Sequence, residues 1–125
     1  MVQKQSIRQA VSYDPAAVFK ALGEENRLAI LLMIEQQTEL CVCELTTALA
    51  APQPKVSRHL AQLRELALLD DERRGQWVYY RLHPALPEWV HRVLRDTAAA
   101  NSPFLEPSLT RLATMPDRPV KMDCA

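Results

Sequence analysis

Two cysteines separated by one residue, Cys41 and Cys43 in the stretch ELCVCEL at positions 39–45, are the side chains of this protein best suited to chemistry. Thiolates bind soft ions, exchange and oxidise. Three cysteines in 125 residues do not make a disulfide framework. The third, Cys124, lies in the final stretch MPDRPVKMDCA, which has no apolar period and reads as mobile.

The local pattern puts the pair at the start of a short helix, about Cys41 to Ala50, with Val42, Leu45 and Leu49 at i, i+3 and i+7. Cys41 takes the N-cap place and Glu44 the reciprocal place of a capping box. Free N–H groups at a helix start carry partial positive charge, which predicts stabilised thiolates there. Residues i and i+2 of a regular helix point about 200° apart. The two sulfurs are therefore expected to close on one ion only if the first turn unwinds. A buried cysteine also serves as a small hydrophobe; the close spacing is what favours ligation.

The elements that hold this pair follow from composition and period. With 48% hydrophobic residues, two glycines and few aromatics, the chain predicts one mostly helical domain. No apolar run approaches the roughly 18 residues of a membrane span, and the first residues lack the apolar core of a signal peptide. A cytoplasmic protein without a membrane partner is expected.

Tyr13-Asp14-Pro15 starts a first helix, with Asp14 as N-cap and Gly23 as its stop. A second, strongly apolar helix follows from about Glu24. After the short cysteine helix, a fourth runs to about Ala67 with Val56, Leu60, Leu63 and Leu66 as its buried stripe and Gln53, Lys55, Ser57, Arg58 and Gln62 opposite. Two helices joined by a few residues, the second polar and basic at its start, form a helix-turn-helix. A strand at about Leu68 to Glu72, a charged turn DDERRGQ and the strand WVYYRL make a hairpin, with Val78, Tyr80 and Leu82 on one face and Trp77, Tyr79 and Arg81 on the other. Such a hairpin after a helix-turn-helix is a wing.

A fifth helix is expected from Pro84, carrying Leu86, Trp89, Val90, Val93 and Leu94, then a short one near Phe104 to Leu112. The fold class is mostly α with a small β-hairpin, a winged helix-turn-helix. The organisation expected is an N-terminal arm at 1–13, a DNA-binding and dimerisation domain at 14–100 and a C-terminal tail at 101–125. Formal net charge is zero, which by itself does not point to nucleic acid. Residues 52–82 nevertheless carry six basic against four acidic side chains.

The span ELCVCELTTALAAPQPKVSRHLAQLRELALL, followed by RRGQWVYYRL, resembles the ArsR/SmtB family of winged-helix metalloregulators. Within that family it is most similar to arsenic-responsive repressors with an ELCVCDL-type motif, over about Asp14 to Trp89. The resemblance implies a homodimer that binds operator DNA in the apo state and releases it on capturing trivalent arsenic or antimony, with no cofactor required. It places Gln53, Lys55, Ser57, Arg58 and His59 on the helix that enters the major groove, and Arg73, Arg74 and Gln76 of the wing near phosphates or the minor groove. Dimerisation through the first and last helices fits the apolar stripes around Phe19, Trp89 and Val93.

Soft trivalent arsenic prefers thiolates, so Cys41 and Cys43 are its expected ligands and Cys124 a candidate third. The sequence departs from the family motif at Thr46, where a third cysteine stands in relatives, at Pro52 in place of a capping Ser, and at Asp70 and Asp71 before the wing. His83, Glu88, His91 and Asp96 do not reproduce the zinc-ligand pattern of zinc-sensing relatives. Trp77, Tyr79 and Tyr80 read as wing packing. No nucleophile and base arrangement or phosphate-binding glycine loop is present, so an enzyme is not expected. The alternatives are a redox repressor of the same fold, against which the strain of an i, i+2 disulfide counts, and a small thiol enzyme of arsenic metabolism.

Overall fold

The computed structural model describes residues 12–119. The first helix, α1 (Pro15–Leu22), begins as its sequence dictates: the Asp14 carboxylate accepts from the Ala17 N–H at 3.1 Å, and Gly23 closes the last turn. In α2 (Glu25–Gln37) the Glu24 side chain caps the Arg27 N–H at 2.9 Å. Ile30, Leu31, Leu32, Met33 and Ile34 are all buried, so this helix is covered on every side and forms the centre of the core.

Thr38 ends α2 at a φ of 79°, unusual for a β-branched residue, and turns the chain into a strand that the sequence pattern did not reveal. This strand, β1 (Glu39–Cys41), is three residues long and buried throughout, so it offers no alternation to read. It pairs antiparallel with β3 (Trp77–Leu82), which also pairs with β2 (Leu69–Arg74). The expected two-stranded hairpin is thus a three-stranded sheet of order β1-β3-β2.

The charged residues expected to form the turn lie within β2. Its pairing continues to Arg74 opposite Trp77, leaving only Gly75 and Gln76 as the turn, with Gly75 at a φ of 63°. Ion pairs with β3, within β2 and with the helix that precedes it explain why so many charges sit in a strand. Asp70 meets Arg81 at 3.2 Å, Glu72 meets Arg81 at 2.9 Å and Arg74 at 3.0 Å, and Asp71 meets Arg64 at 3.1 Å. Nor does burial alternate along β3: Tyr80 joins the core, and Tyr79 on the other face is buried with the Arg74 guanidinium over its ring.

Between β1 and β2 lie α3 (Val42–Leu49) and α4 (Gln53–Glu65), the helix-turn-helix. Val56, His59, Leu60 and Leu63 face the core. Leu66, expected in that stripe, is instead 41% exposed. The helix ends at Glu65, and Ala67 at a φ of 59° lets the Leu68 N–H reach the Leu63 carbonyl at 2.9 Å, which turns Leu66 outward.

The next helix, α5 (Glu88–Ala100), starts after Pro87 rather than at Pro84; the intervening turn buries Leu86. The region expected to be a tail contains a full helix, α6 (Ser102–Ala113), with Leu105, Ser108 and Leu112 buried. It packs on α2, α3 and α5, and Arg111 donates to the Ala48 carbonyl at 2.9 Å, meeting an end-of-helix acceptor of α3. No helix among the described residues is long and apolar enough to cross a membrane.

Candidate thiol site and nucleic-acid interface

Cys41 is at once the last residue of β1 and the N-cap of α3, with extended backbone at φ −88° and ψ 167°. Cys43 lies in the first helical turn. The 200° separation holds only when both residues are helical, and Cys41 is not. Its sulfur instead lies 2.7 Å from that of Cys43. The expected unwinding is therefore unnecessary for the two sulfurs to meet.

The capping-box role of Glu44 is realised: one carboxylate oxygen accepts from the Cys41 N–H at 2.9 Å. The other accepts from Nε of Arg118, a residue beyond α6, and Arg118 also reaches Gln37 at 3.4 Å. Glu44 is only 1% exposed, so its charge is held inside the protein by this arginine and by the backbone.

Cys41 is also 1% exposed. Burial, followed by the hydrogen bond with Cys43, pushes its thiol up to about 12, and the nearby Glu44 charge adds to the rise; the Glu44 backbone N–H works the other way. The stabilised thiolate expected at this helix start is thus overturned at Cys41. The helix-start contribution is present but smaller than the loss of solvent.

The pair opens onto a cavity of about 270 Å³ shared with Thr46, Gln53, Gln76 and Trp77. Gln53 is the first residue of α4, and Gln76 and Trp77 lie at the tip of the wing. The cavity therefore touches both elements that the sequence assigns to DNA. Thr46, in place of a third cysteine, donates its hydroxyl to the Cys43 carbonyl at 2.9 Å. Among the described residues no group of three His, Cys, Asp or Glu side chains is arranged to hold a metal ion. Glu88 pairs with Arg95 at 3.1 Å, and His83 Nδ1 accepts from the Ala85 N–H at 3.1 Å. Cys124 lies outside the described residues.

The predicted DNA-facing residues separate into two groups. Gln53, Lys55, Ser57 and Arg58 are exposed together on the first half of α4, and Arg73 and Gln76 are exposed on the wing. His59 instead turns inward, 8% exposed, with Nε2 3.7 Å from the Glu24 carboxylate. Arg74 folds back onto the sheet. It grips both Glu39 oxygens at 2.7 Å and lies over the Tyr79 ring, 4.6 Å from its centroid. Sequence spacing gave no sign of the Glu39–Arg74 or Glu44–Arg118 links, because each joins residues far apart in the chain. Phe19 of α1 is 51% exposed, with its ring 6.0 Å from that of Trp89 in α5.

Comparison with known proteins agrees with this architecture. Residues 24–71 match the bacterial regulatory protein family arsR. The arsenic resistance transcriptional regulator ArsR1 of Pseudomonas putida is 54% identical over 105 residues, covering 84% of this chain and 82% of that protein. The arsenical resistance operon repressor of Escherichia coli is 51% identical over 82 residues, covering 66% of this chain and 70% of its own length. Among solved structures, the homodimeric winged helix-turn-helix DNA-binding domain of a Mycobacterium bovis protein superposes with a TM-score of 0.57 at 28% identity, covering 85% of this chain and 91% of that one. With this fold, and with the 54% identity extending over most of both chains, the protein belongs to the ArsR family of bacterial regulatory proteins.

Proposed function

We propose that this protein is a homodimeric transcriptional repressor that holds operator DNA in its apo state and lets it go when trivalent arsenic or antimony bonds to Cys41 and Cys43. Membership of a family of bacterial regulatory proteins gives it a regulatory rather than a catalytic role. The observation that carries the inducer assignment is the cavity in which the two neighbouring sulfurs share walls with Gln53 of α4 and Gln76 of the wing. Close thiols suit a soft trivalent acceptor. Cys124 is the remaining thiol of the sequence and the candidate to complete a three-thiolate set.

In this reading Gln53, Ser57 and Arg58 meet base edges, where arginine pairs with guanine and glutamine with adenine. Lys55 and Arg73 neutralise phosphate, and Gln76 meets the backbone at the wing tip. His59 and Arg74 act from behind, bracing α4 and the wing. Phe19, Trp89 and Val93 supply the apolar surface of the dimer. When Cys41 and Cys43 hold a ligand, the walls of their cavity move, and α4 and the wing lose their DNA-competent arrangement. The switch works to the extent that the thiols bind the ligand more tightly in the released state, a coupling of about 1–3 kcal/mol in typical cases.

The test is fluorescence anisotropy of a labelled promoter duplex with the reduced protein, titrated with arsenite at fixed salt. A fall in anisotropy that is lost in Cys43→Ser, with DNA affinity retained, supports the proposal. Binding that arsenite leaves unchanged removes the inducer assignment. The same sulfur proximity favours a second reading, an oxidation-sensitive repressor; release by a mild oxidant but not by arsenite under reducing conditions would select it.

A further inference from the structure

Half of the basic side chains in the helix-turn-helix and wing are answered by carboxylates. Of the six between positions 52 and 82, Arg64 pairs with Asp71, Arg74 with Glu39 and Glu72, and Arg81 with Asp70 and Glu72. Lys55, Arg58 and Arg73 are exposed and have no ion pair among the described residues. The two aspartates by which the sequence departs from the family motif before the wing thus each hold an arginine. We infer that Asp71 restrains DNA affinity by holding in an ion pair the Arg64 guanidinium, a cation that α4 would otherwise offer to phosphate. This inference rests on the DNA-binding reading above and deepens it.

Arg64 stands in the last turn of α4. It follows Ser57 by seven positions, so it leaves the helix within about 20° of the same direction and about 10 Å further along the axis. Its partner belongs to β2, which places this edge of α4 on the side of the wing; Nη1 donates to the Asp71 carboxylate at 3.1 Å. A duplex seated against Gln53, Ser57 and the wing runs its backbone along that side. The two side chains are 49% and 32% exposed. An ion pair so open to water adds little to the fold, so it can be broken without disturbing the core.

A phosphate contact carries no sequence information. A freed Arg64 therefore strengthens binding to every duplex alike, whereas a restrained one leaves Lys55, Arg58 and Arg73 as the cations of this region that are free for DNA. Unrelated sequence vastly outnumbers operators, so a lower general affinity keeps the protein from being sequestered on it. It also leaves a complex that a modest inducer coupling can dissociate.

The experiment follows a labelled duplex of unrelated sequence, beside the promoter duplex, by anisotropy from about 50 to about 200 mM salt with the full-length reduced protein. Asp71→Asn is expected to bind both duplexes roughly tenfold more tightly at the low end and to steepen the salt slope by about two per dimer, one added phosphate contact per protomer. Arg64→Gln alone should leave the slope unchanged, and Asp71→Asn added to it should no longer steepen it. A reduced slope in Arg64→Gln means that Arg64 already holds phosphate, which overturns the inference. So does an Asp71→Asn variant that melts like the unaltered chain and binds no more tightly, or a gain that persists without Arg64. If Asp71→Asn does not fold, the Arg64→Gln slope decides by itself. If the unaltered chain binds neither duplex, the DNA-binding reading itself fails.

Discussion

Arg118 reaches across 74 residues of sequence to the carboxylate of Glu44, whose other oxygen caps the N–H of Cys41. The C-terminal segment thereby stabilises the charge that closes the cysteine helix. Among the described residues, removing the guanidinium leaves a carboxylate that is 1% exposed with its backbone partner alone. Arg118→Ala is expected to destabilise the fold by about 1–3 kcal/mol, a range set by the partly exposed position of Arg118. Urea unfolding measures this, and an unchanged midpoint would mean that Glu44 does not depend on Arg118.

The two adjacent wing arginines are predicted to fail in different assays. Arg73→Ala should weaken DNA binding uniformly across sequences and lower the salt slope by about one, as expected for a lost phosphate contact. Arg74→Ala should act mainly on stability, at a cost of about 2–4 kcal/mol, because it removes both hydrogen bonds from the guanidinium to the buried carboxylate of Glu39. Anisotropy at several salt concentrations, set beside thermal unfolding, separates the two. Equal loss of salt slope in both variants would place Arg74 at the DNA.

On α4, Arg58→Ala should weaken operator binding by about 1–3 kcal/mol in the absence of any inducer and relax discrimination at one base pair. Binding to a panel of duplexes mutated singly across the half-site is the measurement. Uniform weakening without relaxed discrimination would reassign Arg58 to phosphate.

Alkaline pH should expose the environment of Cys41. An unfolded cysteine ionises near about 8.5, whereas the folded Cys41 thiol is pushed up to about 12 by burial first and then by its bond to Cys43. Above the unfolded value the folded state binds the extra proton, so the stability from this group is present at lower pH and is lost as pH rises through that window. The loss approaches about 1.4 kcal/mol per pH unit. Denaturation midpoints from neutral to strongly alkaline pH should fall more steeply for the unaltered chain than for Cys41→Ala, and parallel curves would contradict the burial.

Thr38 sets the path from α2 into β1 at a φ of 79° while exposed to solvent. Thr38→Gly removes the penalty of a β-branched side chain in that region and should stabilise the protein by up to about 1 kcal/mol. Differential scanning calorimetry is the check; a lowered melting temperature would show that the side chain contributes more than its backbone strain costs.

Much of this fold was legible because its signals are local. Asp14 with Pro15 starts α1, the apolar run after Glu24 marks α2, and Cys41 with Glu44 marks the start of α3, all within a few residues. What escaped depends on distant partners. β1 is too short for a period and exists through its pairing with β3, and the charges of β2 read as a turn until Arg81 and Arg64 are placed beside them. At the site, the exposed face from Gln53 to Arg58 follows from helical spacing. The inward turn of Arg74 toward Glu39 does not, nor does the meeting of the two sulfurs, which requires Cys41 to be strand rather than helix.

The pairing of Cys41 with Tyr79 has a consequence for how a signal travels. Along the backbone, the route from the cysteines to the wing runs through α3, the turn and all of α4. Across the sheet it is one rung of a ladder, with Trp77 two residues further along the same strand. A cut in the polypeptide between α4 and β2 would sever the long route and spare the short one. The thiol end of this protein is thus wired to its wing by strand pairing, in parallel with the covalent chain.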